Sequence, residues 1–432
     1  MLSIKKSLLL YFKKSIMQCI IGRKFQGVFR MKLYLSKPGV MSCAGKNIEE
    51  LWQSVTKGNQ EGIKKVTACN GEEFFAARIS DEILKKSGAR YDMKIMRIEN
   101  AALEQIKDDV EKVVANYGAD RVAVCVGSCD NGTEFSLAGH RKYFAEEKFP
   151  SDYNLEIQGA DYVATFIAEK FGLHGPVNTF STACSSSAGA IIKAAEMIMA
   201  DIVDAAVVGG IDIASDTTLM GFSSLEAVSS EITNPFSKNR HGITLGDGAA
   251  FFVLTREPLE SNDSNLTNVC LLGWGESADA YHMTSPDPSG AGAEKAIRRA
   301  MEAAGLSASD VGYINLHGTG TKFNDSMEAK AVAAVMGDVK VPVSSTKCVT
   351  GHTLGAAAAL EAAICWKALF ENNGKNDKIE LPLQVWDGQR DEELPALNIV
   401  DEKSKAVKGA LKVCLSNSFA FGGANACLVL GI

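Results

Sequence analysis

Asn178-Thr-Phe-Ser-Thr-Ala-Cys184-Ser-Ser-Ser-Ala-Gly-Ala-Ile-Ile192 changes character at its one cysteine. A short strand-like run gives way to a hydroxyl-rich turn, and a helical stretch of small residues continues to about Ala200. The same transition recurs twice. Tyr313-Ile-Asn-Leu-His317-Gly-Thr-Gly-Thr-Lys-Phe-Asn-Asp325-Ser-Met-Glu328 leaves a strand at His317 and predicts a helix starting near Asp325, with Asp325 as its N-cap. Ser344-Ser-Thr-Lys347-Cys-Val-Thr-Gly-His352-Thr-Leu-Gly-Ala-Ala-Ala-Ala359 passes from strand to polar turn to helix just after His352.

Outward from these segments the chain keeps alternating. Strands are expected at Val122–Val126, Ala205–Val208, Ala249–Leu254, Cys270–Trp274, Tyr313–Leu316, Val341–Ser344, Leu411–Leu415 and Ala426–Leu430. Their apolar character on both faces suits a buried sheet. Helices are expected at Ile98–Tyr117, Ala160–Phe171, Ser185–Ala200, Ala293–Ala304, Ser326–Val335 and Gly355–Phe370. Strand and helix in alternation read as layered α/β. A chain of 432 residues exceeds one ordinary core, so it implies two domains or one duplicated fold. The polar break at Leu259–Asn268 divides it. Each part closes on a glycine-containing turn and an apolar strand: GDGAAFFVL in the first and FGGANACLVL in the second.

Composition narrows the function. Most of the 11 cysteines sit singly in apolar runs, where Cys packs as a small hydrophobe. An odd number without paired spacing argues for a reducing, cytoplasmic setting. No CxxC or HExxH spacing suggests a metal site, and no GxxxxGK[ST] loop suggests nucleotide-driven chemistry. Residues 1–30 carry seven basic residues and no acid, with apolar runs too short and too interrupted by lysine to span a bilayer. A targeting peptide, a membrane-surface helix and an upstream start compete for this leader; a dispensable leader with the body opening at Met31 is favoured. Without the leader, 38 basic residues face 52 acidic ones, a net charge of −14 that disfavours nucleic acid.

The three quoted segments share one chemical theme. Cys184 falls in the first turn of a helix, where free amide N–H groups and the macrodipole favour a thiolate. Its hydroxyl neighbours set it apart from the packing cysteines. One histidine of the six is usually a hydrogen-bonded structural residue. Two at matching strand–turn–helix positions, with such a cysteine upstream, form a Cys/His/His constellation fit for nucleophilic catalysis.

At these segments the chain resembles the elongating β-ketoacyl-acyl carrier protein synthases of the thiolase-like superfamily. The resemblance spans about residues 31–431. It rests on TACSSS, GxxxGDGAA at Gly242–Ala250, DAYHMTSPDP at Asp279–Pro288, HGTGTxxND at His317–Asp325, TKxxTGHTLGAA at Thr346–Ala357 and NSFAFGGANA at Asn417–Ala426. His352 separates the chain from priming synthases, which have Asn there, and from degradative thiolases, which have a second cysteine. The resemblance implies a five-layered αβαβα fold of two duplicated halves, 31–264 with the nucleophile and 265–432 with both histidines. It implies a homodimer, with a heterodimer beside a related subunit as the variant. Cys184 would take an acyl group from an acyl carrier protein, and the carbanion left by malonyl decarboxylation would attack it. His317 and His352 would stabilise the enolate, with Lys347 supporting them and paired with Glu328. The N–H groups of Cys184 and Phe421 would form the oxyanion hole, Phe421 also acting as a gate. Asp325 would support the histidine turn. Thr319 and Thr321 would bind the pantetheine arm and Phe222 would line the acyl pocket. Asp279, His282 and Thr284 would sit in a substrate-binding loop at the tunnel mouth. Neither a metal nor a dissociable cofactor is implied, because substrates arrive on phosphopantetheine.

Four departures from the family pattern stand out: Leu35–Gly39 at the opening turn, Asp130 where relatives place an aliphatic residue near the acyl-pocket end, Ala420 between two aromatics where glycine is usual, and Asn234 and His241 in place of Arg and Asp. An acid at 130 would cost several kcal/mol if dry and unpaired. These departures bring a specialised polyene or polyketide synthase into view beside fatty acid elongation. A chain-length-factor-like partner subunit is disfavoured because the nucleophile is present. Carrier proteins are acidic, and Lys64, Lys65, Arg141 and Lys142 are the basic candidates to receive one.

Overall fold

Val122–Gly127, apolar on both faces in sequence, is buried at every position. In the computed structural model residues 32–88, 92–259, 268–375, 378–403 and 409–432 are described; the basic leader and the 264/265 boundary lie outside them. The first half supplies β1 (Leu33–Leu35), β2 (Gly39–Ser42), β3 (Lys64–Thr67), β4 (Glu73–Ala77), β5 (Val122–Gly127), β6 (Val177–Phe180), β7 (Ala205–Asp212), β8 (Leu245–Gly246) and β9 (Gly248–Thr255). The second supplies β10 (Cys270–Ala278), β11 (Tyr313–Asn315), β12 (Pro342–Ser344), β13 (Asn398–Ile399), β14 (Val413–Phe419) and β15 (Ala424–Gly431). Eleven of them run in the order β13-β12-β11-β14-β15-β10-β1-β9-β7-β5-β6, with β2 beside β9.

The order encodes a repeat. β5 runs parallel to β6 and β7, β7 antiparallel to β9, and β9 antiparallel to β2. β11 likewise runs parallel to β12 and β14, β14 antiparallel to β15, and β15 antiparallel to β10. The glycine-then-strand endings noted in the sequence are β9 and β15, equivalent strands of the two halves.

Among the described residues there are eleven α-helices: α1 (Ile48–Lys57), α2 (Lys94–Leu103), α3 (Lys107–Tyr117), α4 (Thr133–Glu146), α5 (Tyr162–Phe171), α6 (Ser186–Met199), α7 (Asp216–Ser224), α8 (Ala291–Ala304), α9 (Lys322–Met336), α10 (Lys347–Thr350) and α11 (Ala357–Asn372). Ala123 and Cys125 of β5 face α6 and α11, while Val122, Val124 and Val126 face the outer layer of α2, α3 and α5. In the other half α8 and α9 cover the outer face and α11 the inner one. The result is α/β/α/β/α, five layers as expected, with α6 and α11 buried between the sheet portions of the two halves.

Small residues permit that sandwich. A Cβ on Gly127 would lie 2.2 Å from the backbone N of Ser187, and one on Gly210 would lie 2.7 Å from Ser187 Cβ and 3.0 Å from Ala356 Cα. Both central helices are entered through the same 3₁₀ turn, Ala183–Ser185 before α6 and Leu354–Ala356 before α11. Each turn begins on a left-handed non-glycine residue, Ala183 at φ 51° and Leu354 at φ 52°. Cys184 and Gly355 therefore occupy twin positions.

Gly127→Ala is expected to cost about 2–4 kcal/mol, because backbone rather than a flexible side chain must yield. A urea midpoint unchanged from wild type would contradict this account of the sheet–helix contact.

Candidate active site

Cys184 lies in the 3₁₀ turn itself, two residues before α6 begins rather than inside its first turn. His317 follows β11, and His352 follows the four-residue α10. The duplication brings them together: the Nε2 atom of His352 is 3.0 Å from Cys184 Sγ. The two imidazoles meet edge to face with centroids 5.3 Å apart. A cavity of about 430 Å³ reaches all three, lined also by Phe222, Thr284, Thr319, Thr321, Phe419 and Phe421.

Hydrogen bonds settle both imidazole tautomers. Leu354 N–H donates to His352 Nδ1 at 3.1 Å, so that nitrogen accepts and the proton rides on Nε2, facing Cys184. Lys347 Nζ lies 3.4 Å from His317 Nδ1. An ammonium can only donate, so His317 also carries its proton on Nε2. Burial, with Lys347 adding to it, holds both histidines well below the usual imidazole range; His352 lowers His317 further. They are neutral donors, not bases.

Cys184 corrects the expectation of a resting thiolate. Burial pushes its thiol up to about 11, against the lowering pull of Lys347 and of the Phe421 and Cys184 backbone N–H groups. The helix start does favour the anion, but desolvation of a buried thiolate outweighs a turn's partial charges.

Lys347 is 1% exposed, and its partner is Glu361 of α11, not Glu328. It also donates to the His317 carbonyl at 2.6 Å. Glu328 instead accepts the N–H groups of His317 and Gly318 at 2.8 and 2.7 Å, and the Asn417 side-chain amide at 3.2 Å. Asp325 does not cap its helix. α9 begins three residues earlier, with Thr321 at the cap position. The Asp325 carboxylate turns back to accept from Thr319 N–H at 3.0 Å, Gly320 N–H at 3.2 Å and Phe236 N–H at 2.8 Å. Two buried carboxylates on α9 thus hold the His-Gly-Thr-Gly turn by its amides. Burial raises both, Glu328 to about 7.

Thr319 and Thr321 face the cavity with their hydroxyls 3.0 Å apart. Phe222 stacks on Phe421 at 5.7 Å. Asp279 and His282 do not line the cavity. Asp279 braces the loop that carries Phe421: its N–H donates to Gly423 O at 2.9 Å, and its carboxylate accepts from Asn425 at 2.6 Å. The exposed His282 accepts the Thr284 N–H at 3.1 Å. Ala420 keeps extended backbone (φ −109°), and Gly422 and Gly423 make the turn at φ 81° and 76°.

Asp130 is buried but paired, which removes the penalty anticipated for it. Its Oδ1 accepts from Gly132 N–H at 2.8 Å, Thr133 N–H at 3.2 Å and the Tyr162 hydroxyl at 2.8 Å. Next to it, Asp212 accepts from Cys129 N–H at 2.9 Å and Gly355 N–H at 2.6 Å.

Cys184, His317 and His352 could each offer a metal ion one ligand atom, all within 4.8 Å of one another. Sequence spacing had shown no such grouping. The Lys347 ammonium at His317 opposes a second cation there. Among the described residues no helix is long and apolar enough to cross a membrane.

A buried thiol with one neutral imidazole donating to its sulfur and a second close by fits an acyl-transferring condensing enzyme of the thiolase-like fold. Residues 39–259 match the N-terminal domain of the beta-ketoacyl synthases and residues 269–373 match their C-terminal domain. The chain belongs to the β-ketoacyl synthase family. It is 33% identical over 420 residues to 3-oxoacyl-[acyl-carrier-protein] synthase 2 of Vibrio harveyi, covering 93% of this chain and 98% of the relative. Among solved structures, a ketosynthase in complex with its chain length factor from Xenorhabdus doucetiae is 35% identical, with a TM-score of 0.82 over 94% of this chain and 100% of that one. The ishigamide ketosynthase/chain length factor is 27% identical, with a TM-score of 0.80 over 93% and 99%.

Two outcomes follow from the electrostatics. Alkylation of Cys184 by iodoacetamide, followed by peptide mass, should climb about tenfold per pH unit to pH ~9.5, whereas an ordinary cysteine levels off above about 8.5. A plateau near neutral pH would contradict the buried-thiol account. Glu361→Ala leaves Lys347 buried without its counter-charge and should cost about 3–5 kcal/mol in urea unfolding; Glu328→Gln, which keeps an acceptor oxygen for the His317 turn, should cost less.

Proposed function

We propose that this protein is a β-ketoacyl-acyl carrier protein synthase that extends fatty acyl chains by decarboxylative condensation with malonyl-acyl carrier protein. The observation that carries this reading is the pair of imidazole Nε2–H donors at Cys184. Decarboxylation needs stabilisation of a developing enolate oxygen, and preorganised donors in a dry site supply it.

In the first half-reaction the Cys184 sulfur forms a bond to the acyl carbonyl carbon as its thiol proton passes to the departing carrier sulfur. The carrier thiol leaves with the proton that Cys184 gave up, while the Cys184 and Phe421 N–H groups stabilise the tetrahedral oxyanion. In the second, the bond to the malonyl carboxylate breaks, CO2 leaves and the electron pair passes to the enolate. His317 and His352 donate to that enolate oxygen. The carbanion attacks the acyl carbon on Cys184, a C–C bond forms, the C–S bond breaks and a proton from water restores the Cys184 thiol. No cofactor takes part, and Lys347 acts through the histidines as a positioning residue. The reading includes a homodimer, a cytoplasmic location and a body that starts at Met31.

Two observations favour a second reading, a specialised ketosynthase working beside a related subunit. One is the likeness to a ketosynthase solved with its chain length factor. The other is the buried Asp130–Tyr162 pair where an aliphatic pocket end was expected.

Condensation of acyl primers of graded length with malonyl-acyl carrier protein tests both. Saturated products up to long chains support elongation; short, polar or polyene-type primers alone support the second reading. Cys184→Ala should lower condensation by at least about 10³-fold, and a variant that still condenses would sink the role given to this cysteine.

A further inference from the structure

Cys184 and His352 come from opposite halves of the repeat, yet sulfur and imidazole nitrogen lie 3.0 Å apart. One buried carboxylate lies between the two turns that carry them. Asp212 is the last residue of β7 and is 1% exposed. Its Oδ2 accepts the Gly355 N–H at 2.6 Å and the Cys129 N–H at 2.9 Å, and the Ser128 hydroxyl donates to its Oδ1 at 3.3 Å. Burial, with the neighbouring Asp130 carboxylate adding to it, pushes the Asp212 carboxyl up to about 8. A buried acid set beside a second acid lowers stability, and such arrangements cluster at working sites.

The contacts of Asp212 lead to both turns. Gly355 is the middle residue of the turn Leu354–Ala356. Leu354, just before it, has φ 52°, and its N–H is the donor that leaves His352 Nδ1 an acceptor. A non-glycine residue in that region costs about 1–3 kcal/mol and persists only where its surroundings hold it. The hold is close: a Cβ on Gly355 would lie 2.6 Å from Asp212 Oδ2 and 3.0 Å from the backbone N of Cys129. On the other side, Cys129 Sγ lies 3.4 Å from the Ala183 carbonyl and 3.6 Å from Ser186 Oγ. Ala183, at φ 51°, opens the turn of Cys184. Asp212 therefore grips the His352 side directly and the Cys184 side through Cys129.

We propose that Asp212 is a positioning residue for the condensation, anchoring the Leu354 turn so that His352 keeps its Nδ1 hydrogen bond and presents Nε2–H to the reacting centre. The inference rests on the function proposed above, in which His352 stabilises the enolate. What the two amides require is an acceptor oxygen, which a carboxamide supplies as well as a carboxyl. Without that oxygen the Gly355 N–H loses its partner and Leu354 loses its hold. The His352 proton is then free to move to Nδ1, and an Nε2 without a proton cannot donate to the enolate. Acylation of Cys184 draws on the Cys184 and Phe421 N–H groups instead, so it suffers less.

The test compares wild type with Asp212→Ser, Asp212→Asn and Gly355→Ala, the last pressing a methyl group onto the carboxylate from the opposite side. Acylation of Cys184 by an acyl-acyl carrier protein is followed by intact mass, and CO2 release from malonyl-acyl carrier protein is followed on the acylated enzyme. Asp212→Ser and Gly355→Ala should lower kcat for CO2 release about 10- to 100-fold, the scale of a misplaced reacting group. KM for malonyl-acyl carrier protein and the acylation rate should stay within about threefold, as should every rate of Asp212→Asn, which keeps the acceptor. A merely structural role would slow both half-reactions together and would give no such rescue. The inference is overturned if the two half-reactions fall by the same factor, if Asp212→Asn falls as far as Asp212→Ser, or if Asp212→Ser condenses at the wild-type rate. If Asp212→Ser and Gly355→Ala do not fold, Asp212→Asn decides: near-wild-type CO2 release supports the inference and its loss overturns it. A wild-type protein that neither acylates nor condenses overturns the proposed function itself, which separates the two failures.

Discussion

Lys347 carries its ammonium into a layer from which water is excluded, and the geometry of the site follows from where that charge is satisfied. Glu361 neutralises it from the central helix α11, and the His317 carbonyl takes another of its protons. Because an ammonium donates and never accepts, its third direction fixes the His317 tautomer. Burial, with its field adding to it, keeps both imidazoles uncharged, so they remain donors across the ordinary pH range. Without the ion pair the buried charge would have to be lost or hydrated, and either change would release the orientation of His317.

The positions of the three reactive side chains come from the repeat more than from any local motif. Cys184 stands at the entry to α6 and His352 just before the entry to α11, helices that occupy equivalent places in the two halves. The Ser187 hydroxyl accepts the Ala359 N–H at 3.0 Å, tying the helices together at their N-terminal ends. The small residues at these crossings set how near the two halves come, and so how near the sulfur lies to the imidazole.

Much of this was legible in the sequence. Strands such as β5 and β9, buried on both faces, announce themselves through unbroken apolar runs, and their alternation with helices reads as layered α/β; the five layers were implied by the family resemblance. Cys184, His317 and His352 were readable because each interrupts a strand–helix transition with a reactive group. Pairings were harder. Glu328 and Glu361 both lie on helices near Lys347 in the fold, and sequence separation does not reveal which side faces the ammonium. Glu361 did leave a signal: it is one of the two charged residues, with Lys367, in the otherwise apolar stretch Ala357–Phe370. Asp325 misled because an Asp before a helical run ordinarily caps it, whereas this one reaches back over a whole turn to the amides of Thr319 and Gly320. The strands β2, β3, β4 and β6 and the helices α4 and α7 are short or weakly periodic.

The twin turns carry a consequence for stoichiometry. At the position in the second half that answers to Cys184 stands Gly355, whose amide is held by Asp212 and whose missing Cβ would lie 2.6 Å from that carboxylate. A second thiol cannot be restored there without displacing a buried acid. Under the proposed mechanism a chain built twice therefore holds one acyl group at a time, and that group must be condensed with malonyl before another acyl group can take its place.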